Sequence, residues 1–326
     1  MKTFGKWVGR VLLAILVLVG AIWAFGPREP VDRAISFDPT GVGDDLDVWL
    51  AEQEASVPNL NAEVAKRIIW AGTPGARTAQ VVVYVHGFSA TSEEIRPVPD
   101  NVAAALGANL YFTRLAGHGR DGEAMAEPTA GDWLEDFAET MEIARRIGDE
   151  VILISTSTGS TITAIGNTDP TLSEGIKAQI FVSPNFALNN PAAPLLNWPA
   201  ARYWLPLVFG PEREFEPKNE GHAKYWTTKY PSTAVFPMAA IVAHAETLDY
   251  SVVKTPAMFV YSPDDRVVRP DATEAMVDRW GGPTQQLALT MDAGDDPYSH
   301  VIAGDIMSPN QTKAAVAAMV RFLSGL

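Results

Sequence analysis

From residue 81 onward the chain repeats one pattern. A short run that is apolar at nearly every position is followed by a stretch with helical periodicity. The runs fall at 81–85, 109–113, 151–154 and 179–182, and the helical stretches between them at 92–106, 130–147 and 158–166. A strand with one wet face alternates apolar and polar residues, whereas a run apolar throughout is buried on both faces. Such strands, separated by helices, predict an α/β fold with a mostly parallel sheet covered by helices on both faces. An earlier strand is expected at 66–71 and a short amphipathic helix at 44–54. The alternation stops over 184–250, which is rich in Pro, Trp, Tyr and Phe and offers no clear strand. It resumes with a strand at 257–261, a helix at 271–280, a strand at 286–291 and a helix at 311–323. An interruption of roughly 65 residues is too long for a plain loop and reads as a cap or lid inserted before the last two strands. The expected organisation is an N-terminal segment (1–27), a linker with a short helix (28–60), a core in two pieces (61–183 and 251–326) and a cap (184–250).

Composition removes several functions. The net charge of −14 over 326 residues repels phosphate backbones, so no nucleic-acid partner is expected. The chain has no cysteine, which excludes disulfides, thiolate zinc sites and cysteine nucleophiles.

The N-terminus bears on compartment. Lys2, Lys6 and Arg10 precede an uncharged run over 11–25, and Trp7, Trp23 and Phe25 flank it as interfacial aromatics do. As a helix this run spans about 22 Å, which suits a signal-peptide core or a short membrane anchor. Both readings stay open. In either, the basic flank stays inside and residues from about 30 onward lie on the non-cytoplasmic side.

The run 151–154 ends in Ser155-Thr156-Ser157-Thr158-Gly159-Ser160. A serine hydroxyl is a weak nucleophile without an adjacent base. A sharp strand-to-helix turn would lift Ser157 out of the sheet and aim a helix N-terminus at developing negative charge. Such a turn demands small neighbours: Gly159 supplies one, and Ser155 is the smallest polar substitute for the other. A hydroxyl-rich helix cap is the plain alternative. His86-Gly87-Phe88-Ser89, after the 81–85 run, reads as an oxyanion loop in which the N–H groups of Phe88 and Thr158 would work together. An ordinary turn is the alternative there.

Of five histidines, His300 lies in the loop before the last helix, from which it can reach the carboxyl edge of the sheet. His118, His222 and His244 read as structural. The acid is sought just beyond the 257–261 strand, where Asp264 and Asp265 both qualify. Ser157, an aspartate at 264 or 265, and His300 come one after another in chain order, each after an expected buried strand. Ligands of parallel sheets bind at those carboxyl ends.

On His86-Gly87-Phe88, Gly117-His118-Gly119, Ser157-Thr158-Gly159, Asp265-x-Val267-Val268 and Ser299-His300-Val301, the chain resembles the α/β-hydrolase superfamily over about residues 60–326. It looks most like the serine esterases and the monoacylglycerol-lipase-like and lysophospholipase-like members. The resemblance implies a Ser157-His300-Asp265 triad, an oxyanion hole from Phe88 and Thr158, and hydrolysis of small-molecule or lipid esters through an acyl-enzyme. It implies no metal and no organic cofactor. It favours Asp265 over Asp264, because in that family the acid is followed by one residue and then by apolar ones. Ser155 departs from the usual glycine. Two rivals are weighed against it. One is a peptidase or acyltransferase on the same fold, with Glu212, Glu214, Glu216 and Glu220 as candidate holders of a substrate amine. The other is a membrane-anchored binding protein that has lost catalysis. The apolar cluster Trp198, Tyr203, Trp204, Leu205, Leu207, Val208 and Phe209 would line an acyl pocket, face a membrane, or form the core of the cap.

Overall fold

The structure, a computed structural model, describes residues 2–326. In chain order its elements are α1 (Lys2–Phe25), α2 (Leu46–Ala55), β1 (Arg67–Ile69), β2 (Thr78–Val85), α3 (Val98–Leu106), β3 (Asn109–Phe112), α4 (Ala130–Ile147), β4 (Gly148–Thr156), α5 (Thr158–Asn167) and β5 (Ile176–Val182). They continue with α6 (Ala201–Phe209), β6 (Glu212–Glu214), α7 (Glu220–Tyr225), β7 (Lys229–Pro231), α8 (Val235–Glu246), β8 (Ala257–Tyr261), α9 (Pro270–Arg279), β9 (Thr284–Ala288) and α10 (Pro309–Ser324).

Seven strands form one sheet in the order β1-β3-β2-β4-β5-β8-β9. β1 runs antiparallel to β3, and every other neighbouring pair is parallel. The apolar runs explain the layering. Along β2 and β4, Val81, Val83, Val85, Val151 and Leu153 enter a cluster with Trp133, Phe137 and Met141 of α4. The residues between them (Val82, Tyr84, Ile152, Ile154) enter a second cluster with Val98 and Val102 of α3 and Ala315 and Met319 of α10. Each such side chain contributes about 1.5–3 kcal/mol relative to exposure. That gain on both faces makes β2 and β4 the axis of the fold.

The structure corrects several expectations. The helix expected from residue 92 begins at Val98. Pro97 and Pro99 suit the start of a helix and not its interior, so 92–97 is a turn. The last strand lies at Thr284–Ala288 rather than 286–291; it is an edge strand whose exposed Thr284, Gln285 and Gln286 carry no apolar signal. Residues 28–60 are not a free linker. Ser36 and Phe37 donate their backbone N–H groups to the Glu135 carboxylate of α4, and Val42, Leu46 and Leu50 enter the main cluster. The α1 helix is longer than the uncharged run and takes in Lys6 and Arg10. Residues 184–250 hold three helices and the small β6–β7 hairpin. Of these, α8 belongs to the body, because Met238, Ile241, Val242 and Ala245 join the α4 cluster.

Candidate active site

β4 ends at Thr156, and Ser157 turns the chain into α5 with φ 50° and ψ −118°. Positive φ is rare and strained for a residue with a Cβ, and it concentrates at functional turns. Surrounding contacts hold the turn: the Ser157 N–H donates to the Val182 carbonyl at 3.0 Å. Its tightness dictates Gly159. A Cβ there would lie 2.5 Å from the carbonyl oxygens of both Val85 and His86. Helix α5 thus starts almost in contact with the end of β2, with its positive end beside Ser157.

Ser155, in place of the expected glycine, is fully buried and its hydroxyl is used. It lies 2.9 Å from Thr163 Oγ1, donates to Ser160 Oγ at 3.2 Å and accepts from Gln179 Nε2 at 2.9 Å. Burying a hydroxyl is costly unless it is hydrogen-bonded. Gln179 reaches it from β5, and Thr163 and Ser160 reach it from α5.

His300 lies between Ser157 and Asp265. Its Nε2 is 3.0 Å from Ser157 Oγ and its Nδ1 is 2.8 Å from Asp265 Oδ2. Asp265 Oδ1 accepts the backbone N–H groups of Val267 and Val268 at 2.8 and 2.9 Å, so the carboxylate is clamped by its own turn. Asp264 is exposed. Asp296 shapes the histidine loop, its Oδ2 accepting from the N–H groups of both His300 and Val301 at 2.9 Å. Burial works to depress the His300 imidazole. The Asp265 carboxylate against it, with Glu94 and Asp296 nearby, overrides burial and holds it above the ordinary value. Ser157 and His300 are only 6% and 8% exposed.

The Phe88 and Thr158 N–H groups flank the turn from the ends of β2 and β4. Among the described residues, neither is hydrogen-bonded to another group. Beneath this strip sits Glu94, buried on the loop after β2. Its Oε2 accepts from the Gly87 N–H at 2.7 Å and the Tyr84 hydroxyl at 2.9 Å. Its Oε1 and the Ser157 Cβ lie 2.8 and 3.0 Å from the point a Gly87 Cβ would occupy. Burial pushes the Glu94 carboxyl up, against the pull of these hydrogen bonds and of His300.

The loops around Ser157 are tied together. A Gly304 Cβ would lie 2.6 Å from Ile95 Cα, and the Asp305 N–H donates to the Arg96 carbonyl at 2.9 Å. The Arg266 N–H donates to Tyr298 O at 2.9 Å, and the Thr227 N–H to Ser89 O at 2.8 Å.

Among the described residues, none of the other histidines is hydrogen-bonded to Ser157. His86 is buried and held well below its ordinary pKa by burial and by neighbouring His118, and its Nε2 accepts from the Leu115 N–H at 3.1 Å. Burial lowers His118 to about 4, and its ring packs against Phe88 and Trp133. His222 packs between Phe215 and Trp226. Glu94, Asp296 and Gln179 are not expected from sequence. Among the described residues no cluster of three or more His, Asp or Glu side chains is arranged to hold a metal.

A mostly parallel sheet with a serine at the turn after its central strand defines the class: this is an enzyme of the α/β serine hydrolases. More narrowly, the chain belongs to the Hydrolase_4 family, "Serine aminopeptidase, S33", whose profile matches residues 76–293. No curated protein matches it in sequence. A structure from work on the metagenome-derived lipolytic enzymes LipS and LipT shares the fold. It is 21% identical, covers 83% of this chain and 99% of that one, and has a TM-score of 0.65. The monoacylglycerol lipase of Paleococcus ferrophilus (14% identity, 80% and 98% covered, TM-score 0.59) also shares it. So does a soluble variant of monoglyceride lipase from Saccharomyces cerevisiae (12%, 80% and 91%, TM-score 0.58).

Proposed function

We propose that the protein is a membrane-anchored serine esterase that cleaves carboxylic esters through Ser157, His300 and Asp265. The observation that carries this reading is the continuous hydrogen-bonded line from Asp265 Oδ2 through both His300 nitrogens to Ser157 Oγ, at 2.8 and 3.0 Å. Each atom has a task. His300 Nε2 takes the Ser157 proton as Oγ bonds to the ester carbonyl carbon. The oxyanion that forms is met by the Phe88 and Thr158 N–H groups and by the positive end of α5. Collapse breaks the C–O bond to the alcohol, which leaves with the proton from His300. Water, deprotonated by His300, then adds to the acyl-enzyme, releasing the acid and restoring Ser157. Asp265 holds the imidazole and stabilises its charged form throughout.

We read 184–234 as the cap that gates this site, rooted on α8. We take α1 as a membrane anchor. An 18-residue window within Phe4–Phe25 has a mean hydropathy of 2.4, and none of that window is buried. The 24-residue helix is about 36 Å long, enough to cross a bilayer with Lys6 and Arg10 reaching back to the interface. The basic N-terminal flank keeps the first residues in the cytoplasm and the enzyme on the far side.

Labelling with a fluorophosphonate tests the nucleophile: the parent should react and the S157A variant should not. Labelling of both would move the nucleophile elsewhere. Labelling of neither, with the parent folded, would favour a binding role. A second reading, aminopeptidase action, comes from the family's description. The candidate amine holders count against it, since Glu212, Glu214, Glu216 and Glu220 all face solvent and Glu212 pairs with Lys229. Turnover of aminoacyl amides in preference to esters would reverse the choice.

A further inference from the structure

α6 has the wrong surface for a helix in water. Its sequence, Ala-Arg-Tyr-Trp-Leu-Pro-Leu-Val-Phe, has one charged residue and no polar face. Ala201 and Leu205, one turn apart, point inward and pack with Phe236. Tyr203 and Leu207, also one turn apart, point outward, joined by Val208 and Phe209. Leu207 is 85% exposed. A helix apolar all round is normally buried on every side, and a contiguous exposed apolar patch marks an interaction surface.

The position of the end of α1 identifies what covers this face. α1 exits onto α6 with almost no intervening chain. The Ala200 N–H donates to the Pro27 carbonyl at 2.6 Å, and Arg28 Nη1 donates to the Asn197 carbonyl at 2.8 Å. The single charge of α6, Arg202, is taken up by a two-pronged pair with Glu29 at 2.6 and 2.9 Å. Trp23, in the last turn of α1, stacks edge-on against Trp198, with ring centroids 5.7 Å apart. The last turn of a membrane-spanning helix lies at the interface, where tryptophan concentrates. Trp198 and α6 are therefore held at interface depth, continuous with the apolar surface of α1.

Resting on the reading of α1 as an anchor, we propose that the outer face of α6 docks in the same bilayer leaflet that receives the end of α1. The cap then forms a second membrane contact. The exposed acids just beyond it, Glu212, Glu214 and Glu216, and the overall charge of −14 fit a zwitterionic surface rather than an anionic one.

The chain lacks cysteine, so single cysteines introduced into the full-length protein can each carry an environment-sensitive fluorophore. Three positions serve in phosphatidylcholine vesicles that contain a spin-labelled quencher lipid: Val17→Cys in α1, Leu207→Cys in α6, and Thr73→Cys in the exposed turn at the opposite end of the sheet. Quenching at 17 and 207 but not at 73 is expected. Quenching at 17 alone would overturn the docking of α6 and leave the anchor standing. Quenching at neither 17 nor 207 would overturn both. In a parallel assay, L207E/F209E should lower turnover of a vesicle-embedded ester about tenfold and spare a water-soluble short-chain ester. An equal loss on both substrates would overturn the proposal.

Discussion

Helices α5 and α6 are nearly the same length, ten and nine residues, and they meet opposite fates. α5 is built largely of Thr, Ser, Gly and Asn, yet every one of its residues is buried. α6 is almost wholly apolar, yet only Ala201 and Leu205 are buried. Burial in α5 is made tolerable by partners. Ser160 Oγ donates to the Ser155 carbonyl at 2.8 Å, Thr161 Oγ1 to the Asn185 carbonyl at 2.5 Å and Asn167 Nδ2 to the Thr163 carbonyl at 2.9 Å. Polarity inside and hydrophobicity outside both run against the usual sorting. Deviations of this kind gather where function constrains the chain.

The contrast is broken first at Ser157. S157A should lower kcat on the order of 10^5-fold or more while leaving the melting temperature unchanged, read by ester turnover beside calorimetry. A residual rate within tenfold of the parent would remove Ser157 from the chemistry. D265N should lower kcat about 10^4-fold by releasing His300 from its orientation. It should also move the pH profile. With the parent's His300 held above the ordinary 6.5, the acid limb of kcat/KM should rise with pH to a midpoint above 6.5, since the base must be unprotonated. In D265N that midpoint should fall. The stability His300 gains from its carboxylate is present at low pH and lost as pH rises through its raised pKa. An acid limb centred at or below 6.5 in the parent would count against this coupling.

Stability changes sharpen the comparison further. G159A should cost about 1–3 kcal/mol in denaturant unfolding, because the added methyl meets two backbone carbonyls that cannot move apart. S155A should cost about 1–2 kcal/mol by stranding one N–H of the Gln179 amide, which keeps its bond to the Ile180 carbonyl, with activity nearly intact. On α6, L207E should change unfolding by no more than about 0.5 kcal/mol. A large loss there would mean that α6 packs against something within the body, and the contrast between the helices would fail.

Much of this is legible in the sequence. Strands buried on both faces advertise themselves as unbroken apolar runs, so β2, β3, β4, β5 and β8 stand out. The order of Ser157, Asp265 and His300 against those runs marks the residues that meet at one edge. Parts set by distant partners are not legible. No local feature says that Gln179, on a neighbouring strand, satisfies Ser155. Glu94 and Asp296 look like ordinary surface carboxylates among 39 acidic residues. β9 is obscure because an edge strand needs no apolar run. Of the apolar cluster read in the insertion, Leu205 turns inward while Tyr203, Leu207, Val208 and Phe209 face outward, which hydropathy alone cannot separate.

The ties among the loops bear on how this molecule comes apart. Asp305 to Arg96, Thr227 to Ser89 and Arg266 to Tyr298 are backbone hydrogen bonds, N–H to carbonyl, between segments distant in the chain, each closing one loop on another. Loops that share such bonds open together or not at all. Their amides should exchange hydrogen for deuterium as slowly as those of β2 and β4, through the same global opening. Heat should therefore erase catalysis and tertiary structure at one temperature, with no earlier melting of the site.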